Sequence, residues 1–307
     1  MIVNFFNRTK PINLVFLSIL VFLFYIITMF FYNNGNFALS FFVKNGINLL
    51  FLFGSFQVFN FILSKNNLSK ETDLGILFYV FLLGIFPTLF ITNKIIVAHF
   101  FLLLSFRKIY SLRTEILPKQ KLFDSGFWIG IATIFYPLSV LFMFLNIIAI
   151  FVFNKVNWRY VFIPILGCIV PIFLFFSYFF YIEEVSVFTK LVQLKINLNL
   201  GVYSTNKFLV PIIFISIFGF VSLFYVSARL GQEKVAFKSS WILHLFQGII
   251  GLLIILLDND KNGNAWVFIF FPLSLFFANY MTLIRKKWIK EIIVYLFIGL
   301  IIGTKFL

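Results

Sequence analysis

Few side chains in this sequence can do chemistry, and they fall in short clusters. The heptapeptide 258–264, DNDKNGN, matches the opening of a calcium loop at Asp258, Asp260, Asn262 and Gly263. Oxygen donors two residues apart, with a glycine allowing the sharp turn, suit a hard cation. The bidentate carboxylate that such a loop needs at its twelfth position is missing, because Ile269 stands there. The competing reading is a tight turn built from Asp, Asn and Gly. Glu183 and Glu184 are the other carboxylate pair expected at the same end. A carboxylate there could act as a general base or a metal ligand, although neighbouring residues on a helix point apart.

Arg107, Lys108 and Arg113, followed by Lys119 and Lys121, make the densest basic cluster, chemistry suited to anionic headgroups or a lipid pyrophosphate. A topological bias toward basic loops predicts the same cluster without a ligand. Within the apolar stretches the polar residues are His99, His244 and Gln247, with Gln57, Asn60, Asn146 and Asn279. His244 and Gln247 share a helical face, and such groups commonly bond between helices. No Asp, Glu, Lys or Arg lies at the centre of an apolar stretch, which argues against a proton- or sodium-coupled transporter. The chain has 2 histidines, too few for the multi-histidine iron site of a membrane oxygenase. Cys168 stands alone, so neither an internal disulfide nor a four-thiolate metal site is available, and it reads as a small packing residue. No cofactor is expected.

The elements that carry these residues are helices in a bilayer. Of 307 residues, 62% are hydrophobic and 11% charged, with a mean hydropathy of +1.05; a soluble domain carries roughly 25% charged residues. Runs such as 11–32 and 160–182 exceed the roughly 20 residues that cross a hydrocarbon core of about 30 Å. Their backbone must satisfy its own hydrogen bonds, which makes them helical. The first run is too long for a cleavable signal and lacks a small-residue cleavage site, so it reads as a retained span. Phe numbers 50 and Trp 5, so the aromatics serve as bulk filling rather than as an interfacial belt. The expected fold is an all-α polytopic bundle forming a single domain over residues 1–307. About eleven segments are expected, near 11–32, 46–63, 75–92, 95–107, 126–136, 138–153, 160–182, 207–228, 240–257, 265–284 and 291–306.

Residues 125–153 are too long for one span and too short for two, with Pro137 near the middle, where it breaks or kinks a helix. A short hairpin turning at Pro137 puts 18 of the 25 basic residues, including all 6 arginines, on one side. A single crossing leaves 14 against 11. The positive-inside bias therefore favours the hairpin, a cytoplasmic N-terminus and an inner-membrane location. The net charge of +15 is then loop charge, and nucleic acid is excluded as a partner because no basic segment is long enough for a domain. The segment 183–207 has apolar residues at helical spacing (Val185, Phe188, Leu191, Val192), then alternation (Leu194, Ile196, Leu198, Leu200). FYPLSVLF at 135–142 and FFPLSLFF at 270–277 echo each other faintly.

The stretches FNRTKPINLVFL, SFRKIYSLRTEILPKQKLFDSGFWIGIATIFYPLSVLF and FFPLSLFFANYM resemble an uncharacterised family of inner-membrane proteins of Bacteroidota, especially flavobacteria, over nearly the full length. The resemblance implies a membrane protein and carries over no functional residue. In architecture the chain is also similar to the membrane core of C-type glycosyltransferases, which use polyprenyl-phosphate sugars. There too a span ending in a basic turn, here FLLLSFRKIYSLR, is followed by two short helices. Those enzymes resemble one another in an acidic residue of the first outer loop, and the loop here, YNNGNFALSFFVKNG, has none. The leading expectation is a non-catalytic subunit or scaffold of the cell-envelope machinery, with the bilayer and other membrane subunits as partners. A lipid-linked sugar transferase or polymerase comes second, and a lipid or small-molecule transporter third.

Overall fold

The computed structural model describes residues 2–32, 39–66, 68–70, 72–91, 93–114, 116–153 and 157–304, with the backbone alone at 32, 39–44 and 93. Residues 33–38 of the expected outer loop 32–46, together with Lys155 and Lys305, lie outside the described residues, and its second half, from Leu39, is the start of a helix.

The chain is all-α. Its helices are α1 (Ile2–Phe6), α2 (Pro11–Tyr32), α3 (Leu39–Asn66), α4 (Leu74–Ile85), α5 (Asn93–Ser111), α6 (Pro118–Phe135) and α7 (Met143–Val152). They continue with α8 (Trp158–Tyr181), α9 (Val185–Val192), α10 (Asn206–Ala228), α11 (Val235–Leu257), α12 (Val267–Leu283) and α13 (Lys287–Gly303). Among the described residues, 7 helices are long and apolar enough to cross a membrane: α2, α3, α5, α8, α10, α11 and α12. That is fewer than the eleven segments expected from hydropathy. The other four segments are helical but short or charged at one end: α4, α13, the last turns of α6, and a 3-10 turn (Pro137–Phe142) leading into α7. Hydropathy counts apolar runs, whereas a crossing also needs length.

The shortness of α4 is matched by its position. Its 12 residues are all buried and rise about 18 Å, against about 30 Å of hydrocarbon. It packs against α12, the most enclosed of the long helices, and against α2, α3 and α13. Phenylalanine fills this centre: Phe78 meets Phe277 at 5.6 Å and Phe297 at 5.1 Å, edge to face, while Phe59 stacks on Tyr79 at 4.3 Å. Such pairs stabilise by about 0.5–1.5 kcal/mol beyond their buried area. The outer helices α2, α8 and α10 leave most of their apolar surface exposed, as helices facing acyl chains do.

The chain reverses at Tyr136–Pro137. Tyr136 is extended, and Pro137, which has no N–H to offer, opens the 3-10 turn rather than continuing α6. Ser125 on α6 hydrogen-bonds to Asn146 on α7, and these positions are nearly equidistant from the break, so the two helices run antiparallel. α6 then lies against α8 with an unusually close approach. A Cβ on Gly126 would sit 2.0 Å from the Pro164 carbonyl oxygen, on Gly130 2.4 Å from that of Cys168, and on Gly167 2.3 Å from that of Phe123. Gly126 and Gly130 are four residues apart, the small-residue spacing that lets helix backbones touch in a bilayer. Pro137 and Pro272 sit in different structures, one opening a 3-10 turn and the other inside α12, so the sequence echo around them has no counterpart in conformation.

The segment after α8 forms α9, whose Phe188 packs on Phe175 and Phe176 at 6.0 and 5.2 Å. Residues 193–200 then have no regular secondary structure, and Leu194, Ile196, Leu198 and Leu200 are all exposed.

Candidate functional site

Basic residues of several loops converge on one end of the bundle, where α3, α5 and α10 end and α4, α6 and α11 begin. A cleft of about 460 Å³ opens there, lined by Lys70, Arg113, Glu233, Lys234, Phe237 and neighbouring polar groups. Lys70 lies in the turn after α3 with φ of 50°. Its ammonium bonds the Glu233 carboxylate and stands 5.3 Å over the Phe237 ring. Glu233 is therefore neutralised inside the cleft. Arg113, from a 3-10 turn after α5, and Lys234, at the N-cap of α11, are exposed and line the same cleft. The pair presents a planar fork and a point charge to one space, an arrangement suited to a phosphate.

The other two residues of the predicted basic triad lie elsewhere. The Arg107 guanidinium is 4.6 Å from the Phe61 ring centre, a ring it shares with Lys65. Lys108 pairs with Asp124 at 2.7 Å. Lys121 donates to the Ser111 carbonyl and to Thr114 Oγ1; partial burial, and then the charges of Lys65 and Lys108, hold its pKa below the ordinary lysine value. Arg113 alone of the triad lines the cleft. Lys70 and Lys234, from the loops that follow α3 and precede α11, complete it.

Asp258 caps the far end of α11, about 34 Å along the helix axis. Its Oδ1 accepts the Tyr136 hydroxyl at 2.8 Å, while Oδ2 is buried with no hydrogen-bond partner. Burial raises its pKa above the ordinary value, opposed by the Tyr136 hydrogen bond. The ammonium of Lys261 turns back to the Ile255 and Leu256 carbonyls at 2.9 and 2.7 Å, capping the negative end of α11. Burial lowers the pKa of that lysine, and Asp258 opposes the shift. Asn262 Oδ1 accepts the Asn264 N–H, and Asp260 Oδ1 accepts the Asn259 amide. The three oxygen donors of the calcium-like loop thus face separate partners, with a lysine ammonium serving the turn. Glu183 and Glu184 stand exposed between α8 and α9. No group of three or more His, Cys, Asp or Glu side chains placed to hold a metal occurs among the described residues.

The intramembrane polar residues join helices. His99 Nε2 on α5 bonds Tyr79 on α4 at 3.0 Å. The Tyr110 hydroxyl on α5 joins His244 Nδ1 and Gln247 Oε1 on α11. Asn279 donates to the Leu68 and Leu275 carbonyls.

The chain belongs to a family of unknown function (DUF6427), which matches residues 10–307. No curated protein and no solved structure matches it.

Proposed function

We propose that the protein is a non-catalytic integral-membrane subunit of the cell-envelope machinery, and that its basic cleft receives a phosphate group carried by a lipid. In this reading it lies in a bacterial inner membrane with its N-terminus and basic end in the cytoplasm. The observation that carries the proposal is the cleft itself: Arg113 and Lys234 face one space whose carboxylate, Glu233, is already paired with Lys70. The use of His99, His244 and Gln247 as links between helices favours a scaffold over a reaction centre in the bundle.

Two measurements test it. The full chain purified from native membranes in mild detergent is expected to carry partner membrane proteins, and a partnerless monomer counts against the subunit role. In nanodiscs, phosphatidic acid is expected to bind the wild type, and the Arg113→Gln/Lys234→Gln protein roughly thirtyfold more weakly, at about 1 kcal/mol per cation. Equal affinities would remove the cleft from the proposal.

Asp258 favours a second reading, the lipid-linked sugar transferase. A buried carboxylate with one unbonded oxygen, held by Tyr136 at the turn of the hairpin, is a better-placed base than the exposed Glu183 or Glu184. If Asp258→Ala, Glu183→Ala and Glu184→Ala each leave envelope glycans and growth intact while gene deletion does not, that reading fails.

A further inference from the structure

We infer that α1, α2, α4 and α13 form a binding site for one anionic phospholipid of the bilayer, with an acyl chain in an apolar groove and the headgroup phosphate in a basic pocket beside it. The site is separate from the cleft at Arg113 and Lys234 and does not rest on the function proposed for that cleft.

The groove has a volume of about 580 Å³, and its walls include Phe16, Leu20 and Phe24 of α2, Phe81 of α4, and Ile298 and Ile301 of α13. From Phe16 to Phe24 it follows α2 for about 12 Å, close to the roughly 15 Å depth of one leaflet's hydrocarbon. An open apolar groove one leaflet deep, with cations beside its end, suits a flexible acyl chain carrying a charged headgroup. Ile302, Phe16 and Phe5 on its rim are exposed, which opens it to lipid.

α1 is the wall shared by groove and pocket. Ile2, Phe5 and Phe6 line the groove, while Val3, Asn4 and Asn7 line a pocket of about 110 Å³ with three cations, Arg285, Lys287 and Lys290, and one carboxylate, Glu291. Two carboxylates hold this wall in place. The Val3 N–H donates to Glu291 Oε1 at 3.1 Å. Asp73 accepts from the Lys10 N–H and the Asn13 amide, and its own N–H bonds the Phe6 carbonyl. Trp288, 61% exposed at the start of α13, marks the depth at which amphipathic rings meet headgroups. Three cations at headgroup depth, directly beside an apolar groove, are complementary to a phosphate with its acyl chain.

The test is native mass spectrometry of the full-length, delipidated protein given equal phosphatidylglycerol and phosphatidylcholine. Phosphatidylglycerol is expected to bind preferentially. Measured in an Arg113→Gln/Lys234→Gln background, which removes the cleft's own lipid affinity and so separates the two sites, Lys287→Gln/Lys290→Gln is expected to weaken that binding roughly thirtyfold. Ile302→Trp, which fills the groove mouth, is expected to abolish the preference. Lys287 is exposed and Lys290 half-buried, so their variants keep the test decisive if the tryptophan variant misfolds. Equal binding of both lipids, no effect of the lysine variants, or a photo-crosslinker at position 302 capturing a polypeptide instead of lipid would overturn the inference.

Discussion

The crossing of α6 and α8 makes a quantitative claim that one methyl group can test. In Gly126→Ala the added Cβ lies 2.0 Å from the Pro164 carbonyl oxygen, whereas Cβ atoms essentially never come within 3.0 Å of another heavy atom. The obstacle is backbone, so no rotamer change relieves it, and the helices must separate by about 1 Å. A gap of that size forfeits a quarter to a half of each affected contact. If some 50 atom pairs at about 0.15 kcal/mol lose a third of their attraction, the loss is about 2.5 kcal/mol. The alanine recovers up to about 1 kcal/mol in helix propensity, leaving a net destabilisation of about 1.5 kcal/mol, within the usual range for overpacking. The control is Gly248→Ala on α11, where the nearest atom stands at 3.8 Å; it is expected to be neutral or up to about 1 kcal/mol stabilising. Equilibrium unfolding in mixed micelles, read by tryptophan fluorescence, compares the two. A Gly126→Ala protein as stable as Gly248→Ala would refute the close crossing. Gly126→Ala/Gly167→Ala is expected to lose less than the sum of its parts, because the first methyl already parts the helices.

The hydrogen bonds of Tyr110 are expected to contribute about 1 kcal/mol, in line with interhelical bonds in bilayers. Tyr110→Phe strands His244 and Gln247, and a denaturation midpoint unmoved by it would show the bonds to be idle. The raised pKa of Asp258 gives a pH signature. Between the ordinary carboxylate value of 3.8 and the higher folded value, the native state binds the extra proton, so its contribution to stability falls as pH rises through that window. Asp258→Asn is expected to remove that component of the slope, and identical pH–stability profiles would contradict the buried carboxylate. For the proposed orientation, cysteines introduced at Arg229 and Lys290 are expected to resist an impermeant reagent in intact cells, and one at Lys195 to react; labelling at Arg229 would invert the assignment.

Much of the bundle is legible in the residues because a bilayer leaves the chain few choices. Apolar run length marks α2, α8 and α10, and the reversal at Pro137 follows from where the arginines must lie. Other features depend on contacts between distant segments. The spacing of Gly126 and Gly130 is visible in sequence, but that Pro164 and Cys168 fill the gap between them is not. Nor does the DNDKNGN turn show that its lysine bends back onto α11. The cleft draws Lys70, Arg113 and Lys234 from three loops, and their shared positive charge says which end of the bundle they occupy without saying which of them meet.

The brevity of α4 also bears on how the chain is made. At 12 residues it is a poor candidate for insertion on its own, and α12, against which it is buried, begins 193 residues after α4 does. At a synthesis rate of about 5–20 residues per second, the ribosome reaches α12 roughly 10–40 s later. During that interval this fully buried helix has α1, α2 and α3 as its earlier neighbours, without α12. Assembly then closes from the C-terminal side, and a nascent chain stopped before α12 exposes its centre to the membrane's quality-control proteases.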